Sequence, residues 1–257
     1  MLHIHKLVLA AMLVLLCGGC SLAWSAGTEA APSPATPPTP VRDWTQLDAD
    51  EEELDVWDPI EPFNRGMFWF NDKLYFYALK PVARGYRAVL HEDLRQAVGN
   101  FFHNLATPVR FLNALLQLKG VKATDELVKC IFNSTFGLAG FLDVGAGLPA
   151  DQDGEDFGQT LGHYGTPPGF YLVIPILGPS NARDAVGKVA DAMTHPVTSP
   201  YYFKMKPLEV VGAQALEKVN ALSLDKDTYE AIKQDALDPY LFVRNAFMQN
   251  RAAKIEN

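Results

Sequence analysis

Residues 58–77 read DPIEPFNRGMFWFNDKLYFY and predict the helix on which the fold depends. Asp58-Pro59 and Pro62 are typical of a helix start, because proline is tolerated in the first turn of a helix. Apolar residues then recur at intervals of four and three: Phe63, Met67, Phe70, Leu74 and Tyr77. This spacing places them within about 80° of one another around the helix axis. We therefore expect this stripe to face the core.

The other side of the predicted helix is also largely apolar. Aromatic residues flank a narrow polar strip there, and they are Phe68, Trp69, Tyr75 and Phe76. The strip carries Arg65 and Asp72. A helix that is apolar almost all round is either wholly buried or bathed in lipid, and Trp and Tyr beside charged residues fit a membrane interface. The helix alone leaves both interpretations open.

The N-terminus favours the membrane. Lys6 precedes an apolar stretch over residues 7–16, which has the length of a signal-peptide core and is too short to span a bilayer. Gly18 and Gly19 stand directly before Cys20, as in a bacterial lipobox, where the cysteine is diacylated and becomes the first mature residue. We predict a lipoprotein signal peptide over residues 1–19 and a lipid anchor at Cys20.

One residue of this signal departs from the usual pattern. Cys17 occupies the position three before Cys20, where leucine is usual. The alternative is ordinary secretion with cleavage near Ala23 or Ala26. The absence of Asp directly after Cys20 is typical of sorting to the outer membrane.

Residues 20–57 are predicted to form a tether. Five prolines fall between Pro32 and Pro40, and an acidic run follows between Asp48 and Asp55. Proline-rich chain favours an extended polyproline II conformation, and like charges keep the acidic part solvated. The acidic run lacks the glycine turn and the ligand spacing of a calcium loop, so a solvated linker is the favoured interpretation.

The composition describes an ordinary globular chain. It has 257 residues, of which 48% are hydrophobic and 20% charged, and these values argue against a disordered chain, a collagen or a multi-span membrane protein. The formal net charge of −8 argues against nucleic acid as the main partner, because phosphate contacts need an excess of Lys and Arg.

Periodicity predicts further helices and hardly any strand. The predicted helices lie around 94–105, 109–120, 127–132, 157–163, 180–193, 208–222, 228–237 and 239–253. Ser180 is the expected N-cap of the fifth of these. Residues 171–177 resemble a strand, but Pro175 interrupts them, so we expect an apolar loop arm. The sequence thus predicts a mainly α domain over residues 58–257, with Cys130 as a small buried apolar residue.

Catalytic and metal-binding motifs are hard to find in the sequence. It contains no Gly-x-Ser-x-Gly elbow, no zinc-protease motif, no Walker loop and no Rossmann fingerprint. The acidic residues around Gly154 resemble a calcium loop, but the glycine lies at the wrong position and a turn is favoured. His163 and His195 are isolated and are assigned to structure. We predict no enzyme, no metal and no cofactor.

Motifs spread over residues 58–244 resemble those of a known family. The first lies within 58–71 and is followed by Pro81-Val82-Ala83. The central motifs are FNSTFGLAGFLD at 132–143 and EDFGQTLG at 155–162. Further matches are Gly165, Gly169, Tyr171, Pro175, Gly178-Pro179-Ser180, Arg183-Asp184, Asp238-Pro239-Tyr240 and Arg244. On these motifs the chain resembles the MlaA family, also called VacJ, of outer-membrane phospholipid-transport lipoproteins.

This resemblance implies a ring-like bundle of amphipathic helices with Gly/Pro-rich loops, embedded in the inner leaflet of the outer membrane of a Gram-negative bacterium, on its periplasmic side. Phospholipid misplaced in the outer leaflet would enter an amphipathic channel and pass to a soluble periplasmic carrier, MlaC-like, and so keep the membrane asymmetric. The family's usual partner is an outer-membrane porin trimer. A lipid-acting acyl hydrolase and a structural scaffold lipoprotein are the alternatives.

Given this resemblance, two sets of residues are candidates for contact with lipid and for control of its passage. The residues expected to contact lipid or line the channel are Phe68, Trp69, Phe70, Asn71, Tyr164 and Tyr171. The residues expected to form a moving arm, with glycine hinges and a stiff proline tip, are Gly165, Pro167, Pro168 and Gly169. A static turn is the equally favoured alternative for this segment.

Overall fold

The structure of the protein is a computed structural model that describes residues 56–147, 154–199, 201–203, 205–225 and 227–256. The predicted signal peptide, Cys20 and almost all of the predicted tether lie outside the described residues. In chain order the elements are α1, Glu61–Leu74; a π-helical turn, Tyr75–Leu79; α2, Lys80–Val89; α3, Glu92–Leu105; α4, Thr107–Leu116; α5, Gly120–Thr135; α6, Phe157–His163; β1, Tyr171–Ile174; β2, Gly178–Asn181; α7, Ala182–Thr194; α8, Pro207–Leu224; α9, Thr228–Asp235; and α10, Pro239–Glu256.

The prediction of a mainly helical fold is confirmed. Helix α1 has Pro62 in its first turn, and α6 has the predicted bounds, with Asp156 accepting a hydrogen bond from Gln159 N as its cap. Helix α2 was not predicted. It continues from α1 through the π-helical turn. A single widened turn of this kind leaves no clear mark on the apolar periodicity of the sequence.

The segment expected to be a loop arm is half of a β-hairpin, so that prediction is wrong. Strands β1 and β2 pair antiparallel, with Tyr171 opposite Asn181 and Ile174 opposite Gly178. Pro175 lies in the turn just beyond β1, where its missing N–H costs no ladder hydrogen bond. Ser180 belongs to β2 rather than capping α7, and Asn181 caps that helix by accepting from Asp184 N.

The direction of burial is the reverse of the predicted one. Phe63 and Phe70 of α1 and Tyr77 of the π-helical turn are exposed, whereas the buried residues of α1 are Asn64 and Asp72. Three of the five residues of the predicted core stripe therefore point outward, whereas Met67 and Leu74 are half-buried. Asp72 of the polar strip faces the protein.

The same reversal recurs on other helices. Leu112 and Leu115 of α4, and Leu208 and Val211 of α8, belong to the apolar spacing that predicts these helices, and they are exposed. Among the residues buried within the described ranges, polar and charged side chains outnumber apolar ones. Cys130 is only half-buried, so the prediction of a buried thiol is also wrong.

The apolar core is small and lies under the hairpin. Its buried members are Tyr171, Val173 and Tyr240, and the half-buried residues packed against them are Val56, Met67, Phe68, Leu241, Phe247 and Met248. This core joins α1, β1 and α10. Within the described ranges, the helices are all too short or too polar to cross a bilayer.

Candidate functional site

The hairpin is fastened to α1 by the side chain of Asn64. This side chain is fully buried, and its Nδ2 donates to Tyr171 O over 2.9 Å while Val173 N donates to its Oδ1 over 2.9 Å. The amide thus supplies the pair of hydrogen bonds that a third strand would make along the edge of β1. Nδ2 also donates to Asp58 Oδ1 over 2.8 Å.

Asn71 repeats this arrangement two helical turns later. Its Nδ2 donates to Ile174 O over 3.1 Å, and Ile176 N donates to its Oδ1 over 2.7 Å. Seven residues make about two turns, so both asparagines lie on the side of α1 that faces the hairpin. Sequence reasoning placed Asn71 at the lipid or the channel mouth and did not single out Asn64. The spacing of two asparagines by seven residues was the available signal.

A buried polar cluster adjoins Asn64. The Tyr240 hydroxyl donates to Asp58 Oδ2, and Arg244 Nη1 lies 3.7 Å from the same oxygen. Burial, followed by the hydrogen bond to Asp58, raises the pKa of the Tyr240 phenol. The Arg65 guanidinium lies 4.5 Å from the centre of the Tyr240 ring. These residues tie the start of α10 to the start of α1.

Some of the predicted lipid-contacting residues are exposed at the surface, and others pack against the rest of the protein. Trp69, Phe70 and Tyr164 are exposed, with Trp69 at 62%. Phe68 packs edge-on against Tyr240, with 5.7 Å between ring centres.

Tyr171 requires a correction, because its side chain is fully buried. Its ring packs against Tyr240 and Phe247, and burial raises the pKa of its phenol. Its hydroxyl has no hydrogen-bond partner among the described residues. Tyr171 is thus a core residue in this structure and does not offer its hydroxyl to a lipid.

The segment 165–169 leaves α6 and leads into the hairpin. Gly165 and Gly169 have φ angles of 83° and 68°, a left-handed conformation that favours glycine. The end of the segment is attached to α7, because Arg183 N donates to Pro168 O over 3.1 Å. At its start, the exposed Tyr164 donates its hydroxyl to Leu116 O. The two glycines therefore occupy bends whose conformation restricts which residues can replace them.

A second polar cluster connects α6, α7 and α10. Arg251 bonds both carboxylate oxygens of Asp156, over 2.6 and 2.8 Å, and its Nε lies 2.6 Å from Asp184 Oδ2. Burial by itself would raise the pKa of Asp156, but the hydrogen bonds from Arg251 hold it below its ordinary value. Sequence reasoning assigned no role to Arg251, which lies 95 residues from Asp156.

In the acidic segment that resembles a calcium loop, the described residue Glu155 forms ion pairs with lysines of the protein. Glu155 is bonded to Lys119 over 2.9 Å, to Lys122 over 3.1 Å and to Gln117 over 3.0 Å. Burial alone would raise the pKa of Glu155, but these donors hold it below its ordinary value. In the part of the chain that the structure describes, no group of three or more His, Cys, Asp or Glu could hold a metal ion.

Ser180 follows a glycine and a proline and could be compared with a hydrolase nucleophile, but it is fully buried. Its Oγ lies 3.0 Å from Lys188 Nζ, and burial lowers the pKa of this lysine. A lipid carbonyl has no access to a hydroxyl in this position. His163 is exposed and contacts the ring of Tyr164, and His195, whose pKa burial lowers, accepts a hydrogen bond from Val197 N.

Comparison with known proteins identifies the family. The family model of the MlaA lipoprotein matches residues 56–254. The chain is 35% identical over 196 residues to the intermembrane phospholipid transport system lipoprotein MlaA of Escherichia coli, covering 75% of this chain and 76% of that protein. It is 32% identical over 209 residues to the protein of the same name from Haemophilus influenzae, covering 78% and 80%.

A solved structure extends the likeness to the fold. It comes from work on the maintenance of bacterial outer-membrane lipid asymmetry and matches with a TM-score of 0.67 and 30% identity. The match covers 77% of this chain and 98% of that one. The sequence match, the curated relatives and the fold agree, and the chain belongs to the MlaA lipoprotein family.

Proposed function

We propose that this protein is an outer-membrane lipoprotein of a phospholipid-transport system. In this function it removes misplaced phospholipid from the outer leaflet and passes it to a soluble periplasmic carrier, which keeps the membrane asymmetric. Relatives at 32–35% identity are named as intermembrane phospholipid transport lipoproteins, which supports this assignment. The function requires a protein that sits among acyl chains and conducts a polar headgroup.

The single observation that carries the proposal is the reversed burial. Exposed apolar side chains on α1, α4, α5 and α8 would be costly in water, and exposed patches of this kind mark membrane or protein contact. Buried polar groups suit a molecule with a polar interior. Helices can lie at membrane depth without spanning it, because their backbone hydrogen bonds are internal. We infer that the helices form a ring in one leaflet with their apolar sides toward lipid.

The hairpin and the segment 165–169 are the proposed moving part of the lipid route. The buried Asn64 supports a fixed base for the hairpin, whereas Asn71 holds its more exposed tip. Gly165 and Gly169 supply bends on the side toward α6. Exposed Trp69, Phe70 and Tyr164 are the proposed lipid contacts.

The anchor and the partners complete the proposal. Diacylated Cys20 would hold the protein to the periplasmic leaflet of the outer membrane. The tether of residues 20–57 would be long enough to let the helical domain reach its position in that leaflet. An outer-membrane porin trimer and an MlaC-like carrier are the proposed protein partners, on the strength of family membership.

A deletion strain tests the function directly. Loss of the gene should raise the amount of phospholipid on the cell surface, and expression of the chain from a plasmid should restore the original amount. Mass spectrometry of lipids copurified with the detergent-extracted protein should find intact phospholipid. Lysophospholipid and free fatty acid produced in proportion to protein would instead show a hydrolase, and a normal surface in the deletion strain would favour a scaffold.

A further inference from the structure

An exposed stripe that runs from α1 into the π-helical turn combines one cation with two aromatic rings. Trp69 and Lys73 belong to α1 and Tyr77 to the π-helical turn that follows it, at successive intervals of four residues. The Trp69 and Tyr77 rings are 62% and 79% exposed, and the Lys73 side chain is 41% exposed. None of the helix-to-hairpin contacts described above uses these three residues.

The ammonium group lies between the two rings. Lys73 Nζ is 5.9 Å from the centre of the Trp69 ring and 5.9 Å from that of the Tyr77 ring. Both distances are within the range of cation–π attraction, so the rings hold the charge in place at the surface. The indole N–H and the phenol O–H add two neutral donors on either side of three ammonium donors.

The positive charge of Lys73 is only partly balanced by its ion pair with Asp72. Its nearest carboxylate is Asp72, whose Oδ2 lies 3.7 Å away, too far for a hydrogen bond. The other oxygen of Asp72 already accepts from Lys233 Nζ over 2.6 Å and from the Tyr229 hydroxyl over 3.0 Å. One buried carboxylate is thus shared by two ammonium groups, so it offsets the charge of the exposed Lys73 only in part.

We propose that Trp69, Lys73 and Tyr77 bind the phosphodiester of an anionic phospholipid. The proposal rests on the proposed function, since it requires this side of α1 to meet lipid. Lys73 would pair with the phosphate, and the indole and phenol would donate to its remaining oxygens. The surplus charge favours a lipid with net negative charge over a zwitterionic one, whose own ammonium group would be left beside Lys73.

The surroundings favour a lipid over a free phosphate. The stripe is a shallow surface without a backbone cradle, so one ammonium and two neutral donors would hold inorganic phosphate only weakly against water. The exposed ring of Phe70 lies next to Trp69 in the sequence of the same helix and offers apolar contact to an acyl chain. The headgroup and the chain of one lipid would then be bound together.

Quenching of Trp69 fluorescence by brominated lipids tests the proposal. A full-length chain with Trp24→Phe, Trp44→Phe and Trp57→Phe keeps Trp69 as its tryptophan and is reconstituted into phosphatidylcholine vesicles. A small, equal fraction of brominated phosphatidylglycerol or brominated phosphatidylcholine is then added. We expect phosphatidylglycerol to be enriched about fivefold at Trp69, which is the effect of one lysine near an anionic lipid.

Variants assign the effect to Lys73. Lys73→Gln should abolish the enrichment and Lys73→Arg should keep it. Lys218→Gln, which removes an exposed lysine from α8, is the matched control and should leave it unchanged. Inorganic phosphate added at the same ionic strength as a chloride control should not reduce the enrichment, whereas displacement by phosphate would show a free-anion site.

The possible failures are distinguishable. Equal quenching by the two brominated lipids, or enrichment that survives Lys73→Gln, would overturn this inference and leave the membrane location intact. An absence of quenching by either lipid would overturn the proposed membrane location as well. If the tryptophan-depleted chain does not fold, native mass spectrometry of bound phosphatidylglycerol in the otherwise unchanged chain, with and without Lys73→Gln, makes the same comparison.

Discussion

Asn64 and Asn71 make the same pair of hydrogen bonds in different surroundings. Asn64 is fully buried, whereas Asn71 is only half-buried and its bond to Ile176 N is exposed. Water can replace a lost bond at Asn71 but not at Asn64. The energetic weight of the two side chains should therefore differ although their bonding pattern is the same.

Replacement of each asparagine by leucine measures this difference. Asn64→Leu leaves Tyr171 C=O and Val173 N–H without their partner, and each buried group without a partner costs about 1–3 kcal/mol. We expect a loss of about 3 kcal/mol in the free energy of unfolding, measured by chemical unfolding in detergent micelles. Asn71→Leu should cost about 1 kcal/mol. Equal losses would show that the buried and exposed ends of the hairpin are held alike.

The ion pair between Asp156 and Arg251 predicts a pH dependence. The folded-state pKa of Asp156 is lowered, so its contribution to stability is present above the ordinary value of 3.8 and is lost as the pH falls below it. Asp156→Asn should cost about 1 kcal/mol at neutral pH, because solvent screens a side chain that is 40% exposed. The variant should also lose less stability than the natural chain between neutral and acid pH in thermal unfolding. A difference that stays constant with pH would contradict this assignment.

Helices α6 and α7 meet at two glycines. A Cβ on Gly187 of α7 would lie 2.5 Å from Gly158 N and 2.8 Å from Gly158 Cα, which is too close for any real contact with backbone. The two helices therefore pack with their backbones almost touching. Gly212 of α8 has open space where a Cβ would lie.

Alanine at these two positions should have opposite effects. Gly187→Ala must push α6 and α7 apart, and we expect a loss of about 2 kcal/mol in the free energy of unfolding, as for overpacking. Gly212→Ala should gain about 0.5–1 kcal/mol, because it removes the entropy cost of glycine in a helix. Chemical unfolding of both variants under one condition checks the pair, and a stable Gly187→Ala would mean that the helices can separate freely.

The bend at Gly165 is the most accessible test of the proposed moving segment. A Cβ there meets nothing within 4 Å, so only the φ of 83° restricts substitution. Valine disfavours this conformation, whereas asparagine tolerates it. Gly165→Val should impair removal of phospholipid from the cell surface at normal protein level. Gly165→Asn should retain the activity of the natural chain. Equal activity of the two variants would favour the static turn.

Two features would hold the protein to the membrane. The apolar outer sides of the helices provide one, and the predicted acyl chains on Cys20 provide the other. Each buried CH₂ of an acyl chain contributes about 0.8 kcal/mol, so two or three chains should outweigh interfacial contacts.

Cys20→Ala separates these contributions. We expect the variant to be released from the outer membrane or mislocalised. Sucrose-gradient fractionation and immunoblotting measure this outcome. Retention of the full amount in the outer membrane would show that the helices are the main attachment. Lipid transport could then persist without the anchor, and the surface-phospholipid measurement would report it.

The sequence alone determined those features that depend on neighbouring residues. Proline in the first turn of α1, the bounds of α6 and the mainly helical class all follow from contacts within a few residues. The family was also recognisable, because motifs such as 132–143 and 155–162 are contiguous. The lipoprotein signal is equally local, although it stays a prediction.

Which side of each helix lies inside can be read only from the folded chain. Periodicity shows that a helix is amphipathic, but the same period results whether its apolar side meets a core or lipid. The hairpin and its attachment to α1 could likewise not be predicted from the sequence. Asn64 and Tyr171 are 107 residues apart, and a polar residue bonded to a strand edge has no local sequence pattern. Their meeting is a consequence of chain topology, which places β1 against α1 and so makes a buried asparagine the substitute for a neighbouring strand.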